Sequence, residues 1–344
     1  MQLNFNREDY VMRKLLMTSS ALVAAASISS YAVADVSVSG GFEWAYKSAS
    51  SGIAATDGDS FATDNEIVIS FSNKTDSGLT IGGKMEMGNY NGTTSVIDES
   101  VMTISGGFGT LRLGQEDSIN ETFGIGEHDL IDEDLSAAPG SSSIVTNAGE
   151  SGSNDNNKLA YITPKMGGFQ AGYSIADSGT AAQSTDQTAM GLSYTMPMAG
   201  GSLMVRYNKQ STDGTAAAET ESSNYGAKLV MGAASVIVAH GDSTIGGAGS
   251  QSDDREANGL SVRYNLGGGV SVGASTMEAT DDKDKTTAGV AEKYTANAAE
   301  VSYSVAPGLS AKVTYVDYDY KRGGETLSVD DSGSITQLTI TAAF

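Results

Sequence analysis

The sequence predicts an all-β protein, a transmembrane antiparallel up-and-down β-barrel of about 16 strands. Three observations predict this fold class. Hydrophobic and polar residues alternate along most of the chain, short turns alternate with long polar loops, and 344 residues include 42 glycines but only 4 prolines. Strict alternation is typical of strands with one apolar and one polar face. A count of about 16 agrees with the even strand numbers of bacterial outer-membrane barrels.

The N-terminal segment predicts export from the cytoplasm. Arg13 and Lys14 precede an apolar run over residues 15–28, and residues 32–34 read Ala-Val-Ala, the small-x-small pattern of a signal-peptidase site. The run is shorter than the roughly 20 residues that a spanning helix needs. We therefore expect residues 1–34 to be an upstream extension followed by a cleaved signal peptide. Residues 35–344 are then one barrel domain. The alternative is that residues 1–11 are a genuine N-terminal extension.

The predicted strands follow one another from Asp35 to the C-terminus. Apolar stripes with a period of two cover residues 36–46, 67–71, 79–87, 111–113, 159–161, 169–175, 190–194, 203–207, 225–229, 260–264, 270–272, 301–305, 309–315 and 338–344. Two weaker candidates, 101–105 and 235–241, are partly apolar on both faces. The opposite faces carry Ser, Thr, Gly, Asn, Lys and Glu, which cannot form a dry core because unpaired buried polar groups are costly. The polar faces are therefore expected to line water and the apolar faces to meet lipid, in a closed barrel rather than a soluble sandwich.

The connections between the stripes alternate in length. Short connections lie at 73–78, 106–109, 164–168, 197–201, 231–234, 265–269 and 306–308, and long polar ones at 48–63, 89–98, 117–156, 177–187, 210–223, 242–256, 278–296 and 319–333. Short turns at one end and long loops at the other are typical of an outer-membrane meander.

Charge and composition exclude several function classes. The chain has 42 acidic and 20 basic residues, a net charge of −22, whereas nucleic acid is bound by Lys and Arg. The absence of cysteine excludes disulfides, thiolate metal sites and cysteine nucleophiles. A hydrolase would need a serine and an acid beside His128 or His240, and a solvated histidine is the simpler interpretation. No phosphate-binding loop, zinc-protease motif or complete EF-hand occurs, so we predict neither an enzyme nor a cofactor.

Three stretches resemble the general diffusion porins of Gram-negative bacteria, of the alphaproteobacterial type. They are DVSVSGGFEW (35–44), ISGGFGTLRLGQED (104–117) and NNKLAYITPKMGGFQAGYS (156–174). The terminal Phe344 on an amphipathic strand resembles the signal that the outer-membrane barrel assembly machinery recognises. The resemblance implies a 16-stranded barrel in outer-membrane lipid, commonly a homotrimer, that passes ions and small hydrophilic solutes passively. It also implies that the third long loop, 117–156, folds into the barrel and narrows it.

The resemblance further implies a constriction in which an acidic loop faces basic residues on the wall. The matching acidic set is Asp117, Glu121, Glu127, Asp129, Asp132, Glu133 and Asp134. The matching basic set is Lys47, Lys84, Arg112 and Arg206, with Lys228, Arg263 and Lys312 on later strands. Gln115 and Ala160 stand where the family often has arginine, which weakens the basic half. With the net negative charge, this predicts a preference for cations, because charged rings set channel selectivity.

Alternatives remain open at this point. The loop acids could be solvated only, or Asp132 and Asp134 could hold Ca²⁺, which prefers hard oxygen ligands. A substrate-specific uptake channel would be favoured by aromatic residues on the polar face, and Tyr318 and Tyr320 are expected near a loop instead. A non-conducting barrel that displays its loops is the third alternative.

Overall fold

A computed structural model describes residues 22–23, 35–52, 57–90, 97–131, 156–176, 187–212, 219–245, 253–281, 291–322 and 331–344. In the described ranges sixteen antiparallel strands form the wall of the barrel, and the two-residue strand Leu22–Val23 belongs to the same sheet. The first eight are Asp35–Ser51 (β1), Gly58–Lys74 (β2), Thr80–Tyr90 (β3), Glu99–Gly106 (β4), Gly109–Gln115 (β5), Asn157–Ile162 (β6), Phe169–Ala176 (β7) and Gln187–Met198 (β8). The second eight are Gly201–Thr212 (β9), Thr220–Met231 (β10), Ala234–Ile245 (β11), Asp253–Gly267 (β12), Val270–Asp281 (β13), Glu292–Ala306 (β14), Leu309–Arg322 (β15) and Asp331–Ala343 (β16).

The sheet closes on itself, which confirms the predicted fold class. Each strand pairs with the next, and β16 pairs with β1 in a register that runs from Gly333 opposite Ser51 to Ala343 opposite Gly41. Closure leaves no strand edge, so every backbone group of the wall can be paired in the absence of water. No helix in the described ranges is long and apolar enough to cross a membrane.

The predicted leader is only marginally covered by the structure. Leu22–Val23 pair with Val38 and Ser37 of β1. The remainder of the leader, residues 1–21 and 24–34, lies outside the described residues, so the predicted boundary at residue 34 stays a prediction.

All short turns lie at one end of the barrel, the short-turn end, and the connections at the other end, the long-loop end, include the 116–156 loop. Glycines make the tight turns and the close packing between hairpins possible. Gly308 has φ +75°, and its carbonyl accepts a hydrogen bond of 2.7 Å from the Ala343 amide. A Cβ there would lie 2.4 Å from the Ala343 carbonyl oxygen, so only glycine fits. This need accounts for part of the glycine content.

The outer face carries an apolar band towards the short-turn end. Val38, Ile67, Leu192, Val262 and Val313 all point away from the lumen and are more than 40% exposed. These are the apolar residues of the predicted stripes. In a membrane barrel this face meets lipid, because the alternate residues face the lumen.

Towards the long-loop end, the hydrophobic face of β15 switches sides. Val313 and Tyr315 point outward, but Val316, Tyr318 and Tyr320 point into the lumen and are only 2–4% exposed. Strands β11–β14 and β16 show the same switch, with buried lumenal residues that include Ile237, Ala257, Met277, Tyr294 and Ile335. The expectation that the lumenal face is polar throughout is therefore wrong for this part of the wall.

Candidate functional site

The third long loop, residues 116–156, enters the lumen directly after β5. Its described part, 116–131, contains a short helix, Ile119–Phe123 (α1), and a 3₁₀ turn, Glu127–Asp129. The apolar side chains of Ile119, Phe123, Ile125 and Ile131 are 0–1% exposed. Each such burial stabilises the docked loop by about 1.5–3 kcal/mol. The inward fold that the resemblance implied is confirmed for this segment.

A row of glycines on the inner wall receives these side chains and that of Glu127. The row, here called the glycine track, comprises Gly172, Gly191, Gly226, Gly259 and Gly273, on β7, β8, β10, β12 and β13. The glycine track was not predicted from the sequence. Glycine inside a strand often marks the close approach of another segment, and that signal could have found it.

The fit along the track leaves no room for any side chain. A Cβ at Gly191 would lie 2.4 Å from Cγ of Phe123, and one at Gly273 would lie 2.1 Å from Cδ1 of Ile131. The segment 116–131 therefore follows the wall from β5 to β13, around half of the barrel.

Polar wall residues fix the loop backbone. Asn224 accepts a hydrogen bond of 3.1 Å from the Ile125 amide and donates one of 3.0 Å to the Ile125 carbonyl. Arg206 donates to the Gly124 carbonyl at 2.6 Å. Arg206, predicted as a basic wall residue facing loop acids, is thus an anchor for the loop backbone.

The loop acids are only partly turned towards the lumen. Glu127 is 1% exposed and lies against the wall at Gly259, and Glu121 is also buried. Asp117 and Asp129 are half-buried. Three predicted acids lie outside the described residues: Asp132, Glu133 and Asp134. Two of these were the calcium candidates, and no group of three or more metal-ligating side chains occurs in the described ranges.

A further acid, which the sequence analysis missed, stands where the loop leaves the wall. Glu116 contacts the Arg112 guanidinium, which also donates to Thr122 of α1 at 3.2 Å. Lys158 donates to the Glu116 backbone carbonyl at 2.6 Å. Burial raises the pKa of the Glu116 carboxyl to about 7, although Arg112 acts in the opposite direction. The missed residue lies one position before the predicted start of the loop, at 117.

The wall that loop segment 116–131 leaves uncovered is acidic. The lumenal faces of β1–β4 carry five carboxylates, here called the acidic wall: Glu43, Asp64, Glu66, Glu86 and Glu99. The predicted basic residue Lys84 lies among them, 2.6 Å from Glu86 and in contact with Glu99. The Glu86 carboxyl also contacts that of Glu66. The other lysines on these strands are Lys47, predicted and buried at 4% exposure, and Lys74 at the end of β2.

Arg263, one of the later basic residues, is paired in the same way. Arg263 contacts Glu300 and lies within 3.4 Å of the Ser302 hydroxyl. Below the loop, a space of about 600 Å³ is lined by residues that include Glu43, Arg263 and Lys312. Acids and bases therefore alternate on this wall, instead of a purely basic wall facing a purely acidic loop. His128, expected to be solvated, is buried at 5% exposure.

Above the loop, the inner wall of β11–β16 carries a group of buried apolar side chains. Tyr294 and Tyr318 stack at 6.3 Å between ring centroids, with 17° between the ring planes. The group, here called the lumenal apolar cluster, includes Ile237, Ala257, Met277, Ala279, Tyr294, Ala296, Ala298, Val316, Tyr318, Tyr320 and Ile335, with Ile125, Leu130 and Ile131 of the loop. Tyr318 and Tyr320, expected near a loop, belong to this lumenal group.

A closed 16-stranded barrel with an apolar exterior and a loop folded into a charged lumen defines a class of protein, the outer-membrane channels. The chain belongs to the Gram-negative porin family, whose sequence model matches residues 18–324. The protein is therefore an outer-membrane porin, as the resemblance implied.

Solved structures of other porins and channels share the fold. The trimer form of OmpT from Vibrio cholerae superposes with a TM-score of 0.69 at 12% identity, over 90% of this chain and 99% of that one. An anion-selective porin from Comamonas acidovorans gives 0.67 at 16% identity, over 91% and 100%. The channel DcaP of Acinetobacter baumannii gives 0.68 at 13% identity, over 93% and 100%. No curated protein sequence matches the chain significantly.

Proposed function

We propose that this porin is a passive, water-filled channel for ions and small hydrophilic solutes that prefers cations. The observation that carries the proposal is the acidic wall of β1–β4, which has five carboxylates, the half-buried Asp64 and Glu66 among them, against Lys47, Lys84 and Lys74. A cleft lined by charges of one sign raises the local concentration of counter-ions, and charged rings set selectivity. The narrowest part lies between this wall and the third loop.

The charge pairing supports an acidic balance of the lumen. Arg112 is matched by Glu116 and Arg263 by Glu300, so neither pair leaves a net positive charge when its carboxylate is ionised. Lys84 is surrounded by more than one carboxylate. The half-buried Asp117 and Asp129 add negative charge on the loop side.

We also propose that the protein is a homotrimer. Strands β4–β7 have 8, 7, 6 and 8 residues, fewer than the roughly 9–11 that cross a bilayer. Their outward side is apolar, with Leu159 and Met102 more than 40% exposed. A neighbouring copy would cover this low wall. Recognition of Phe344 by the barrel assembly machinery stays a prediction.

Ion selectivity tests the cation preference directly. The refolded protein is placed in a planar bilayer under a salt gradient, and the reversal potential is measured for the wild type and for the double variant Asp64→Asn, Glu66→Gln. We expect large conductance steps in the wild type with a cation-favouring potential, and a clear shift of that potential towards zero in the variant.

A control variant distinguishes the effect of charges in the lumen from that of a charge on the outer surface. Asp317→Asn removes one charge at an outward-facing position of β15, and it should leave the reversal potential nearly unchanged. An unchanged potential in the double variant, or an equal shift in the control, would contradict the proposal. No conductance from a correctly folded barrel would favour the display barrel.

One observation favours the alternative of a substrate-specific uptake channel. Three tyrosines, Tyr294, Tyr318 and Tyr320, stand on the lumenal face, where aromatic residues would favour a solute site. They are at most 4% exposed, however, so a passing solute has little access to them. Saturable block of the conductance by an added sugar or organic acid would favour this alternative.

A further inference from the structure

The inner surface of the barrel has two unlike parts. On β2–β5 a group of half-buried polar side chains faces the lumen, Ser70, Lys84, Thr103 and Arg112, beside the buried Glu86, Glu99 and Val101. On β11–β16 the lumenal side chains include a buried apolar cluster, bordered at the long-loop end by the buried carboxylates Asp281, Glu292 and Asp331. We propose that solutes cross this barrel only along the β2–β5 side, and that the opposite side above the loop is a dry core. The inference rests on the proposed function and adds the route.

The packing of the lumenal apolar cluster supports the dry core. Ala279, Tyr294 and Ala296 are 0% exposed, and Val316 is 2% exposed. Side chains of 0–2% exposure on an inner wall are in contact with other side chains and not with water. The loop residue Ile131 joins the same cluster, so the core is continuous from the wall to the loop.

The outer face of β13–β15, level with the lumenal apolar cluster, explains why the apolar residues are buried inside the barrel there. The outward residues that alternate with the cluster are polar and exposed, as at Glu278, Asn297 and Asp317. Lipid does not tolerate such a row of charged and polar groups, so this part of the wall stands above the bilayer. With water outside, burial of the apolar residues inside follows the ordinary hydrophobic effect.

The side chains on the polar side determine which solutes the route admits. Lys84, Thr103 and Arg112 border an open space of about 270 Å³ at the inner wall. A solute on this side passes the half-buried Asp64 and Glu66, so the route admits small hydrated ions and polar, preferably cationic, molecules.

Single-cysteine labelling tests the route, because the chain has no cysteine of its own. Ser70→Cys and Ser275→Cys are nearly isosteric changes at lumenal positions on the two sides, half-buried in β2 and 7% exposed in β13. Thr103→Cys and Ala296→Cys form a second pair. A methanethiosulfonate reagent with a trimethylammonium group is added to single channels, and the current is followed.

Labelling of Ser70→Cys and Thr103→Cys should reduce the cation current, because it places a bulky positive group in the route. Ser275→Cys and Ala296→Cys should react at least about tenfold more slowly and leave the current unchanged, since a buried thiol reacts only after local opening. Labelling after denaturation shows that every thiol is present, and the heat-dependent gel shift of the barrel shows that each variant is folded.

Three results are distinguishable. Fast labelling and block at Ser275→Cys or Ala296→Cys would overturn the route but leave the channel function intact. Absence of labelling at both Ser70→Cys and Thr103→Cys would also overturn it. Absence of conductance in every protein, the wild type included, would instead refute the proposed function.

Discussion

The glycine track predicts that one methyl group on the wall will detach the third loop. In Gly191→Ala the new Cβ would lie 2.4 Å from Cγ and 2.5 Å from Cβ of Phe123. Carbon atoms in contact stand about 3.5–4.0 Å apart, so a shift of about 1 Å is needed. Rotation of the ring does not relieve the contact with Cβ, and α1 itself must therefore move.

The cost follows from overpacking. Inserting a methyl group into a packed site destabilises it by about 1–3 kcal/mol. For an opening equilibrium, this free energy raises the population of the undocked loop about 5- to 150-fold. In the docked state the Ile125 amide donates a hydrogen bond to Asn224. That amide becomes exposed to water when the loop leaves the wall.

Amide hydrogen exchange measures this population. A peptide that covers residues 119–125 should exchange about 5- to 150-fold faster in Gly191→Ala than in the wild type, while the β-strands keep their protection. Gly88→Ala is the matched control, because the nearest atom to its new Cβ is the Asn65 carbonyl oxygen at 3.8 Å. Equal exchange in the wild type and Gly191→Ala would refute the idea that the track holds the loop.

Three other predictions concern single groups. The pKa of the Glu116 carboxyl is raised to about 7. That carboxyl therefore gains negative charge as the pH rises from about 6 to 8. The cation preference, measured by the reversal potential, should rise over the same range. In Glu116→Gln the cation preference should change less with pH. The same raised pKa means that its contribution to stability, full below about 4.5, is lost as the pH rises to about 7. Asn224→Leu leaves the amide and carbonyl of Ile125 without their partner, which costs about 1–3 kcal/mol per buried group and should lower the thermal unfolding midpoint. Asp331→Ala removes the nearer of the two acceptors of the Gly52 amide, at 2.7 Å, and leaves the Ser332 carbonyl at 3.1 Å, so amide exchange at Gly52 should become faster.

The strand pattern was predictable because it is local. Alternation along residues 309–315 or 36–46 requires knowledge of neighbours two positions away only, and the period of two follows from strand geometry. The length of the 117–156 connection was equally visible in the sequence. The number of strands and the up-and-down order followed from these patterns.

The partners of the charged groups were not predictable from spacing. Arg206 has a lumenal position on β9 that the alternation indicates, but its bond to Gly124 joins residues 82 positions apart. The family resemblance supplied an acidic loop and a basic wall. The structure instead distributes acids over both, with Glu66 and Glu86 on the wall and Glu127 turned away from the lumen.

The sequence by itself determined that the chain is a barrel with an apolar outer band, since alternation and turn length are encoded between near neighbours. Only the tertiary structure decided where that alternation reverses, as between Tyr315 and Val316, and which glycines receive the third loop. The physical reason is that an apolar residue in a strand can be buried by lipid outside or by protein inside. The choice depends on the height of the residue in the bilayer and on side chains about 100 positions away, such as Ile125 and Asn224.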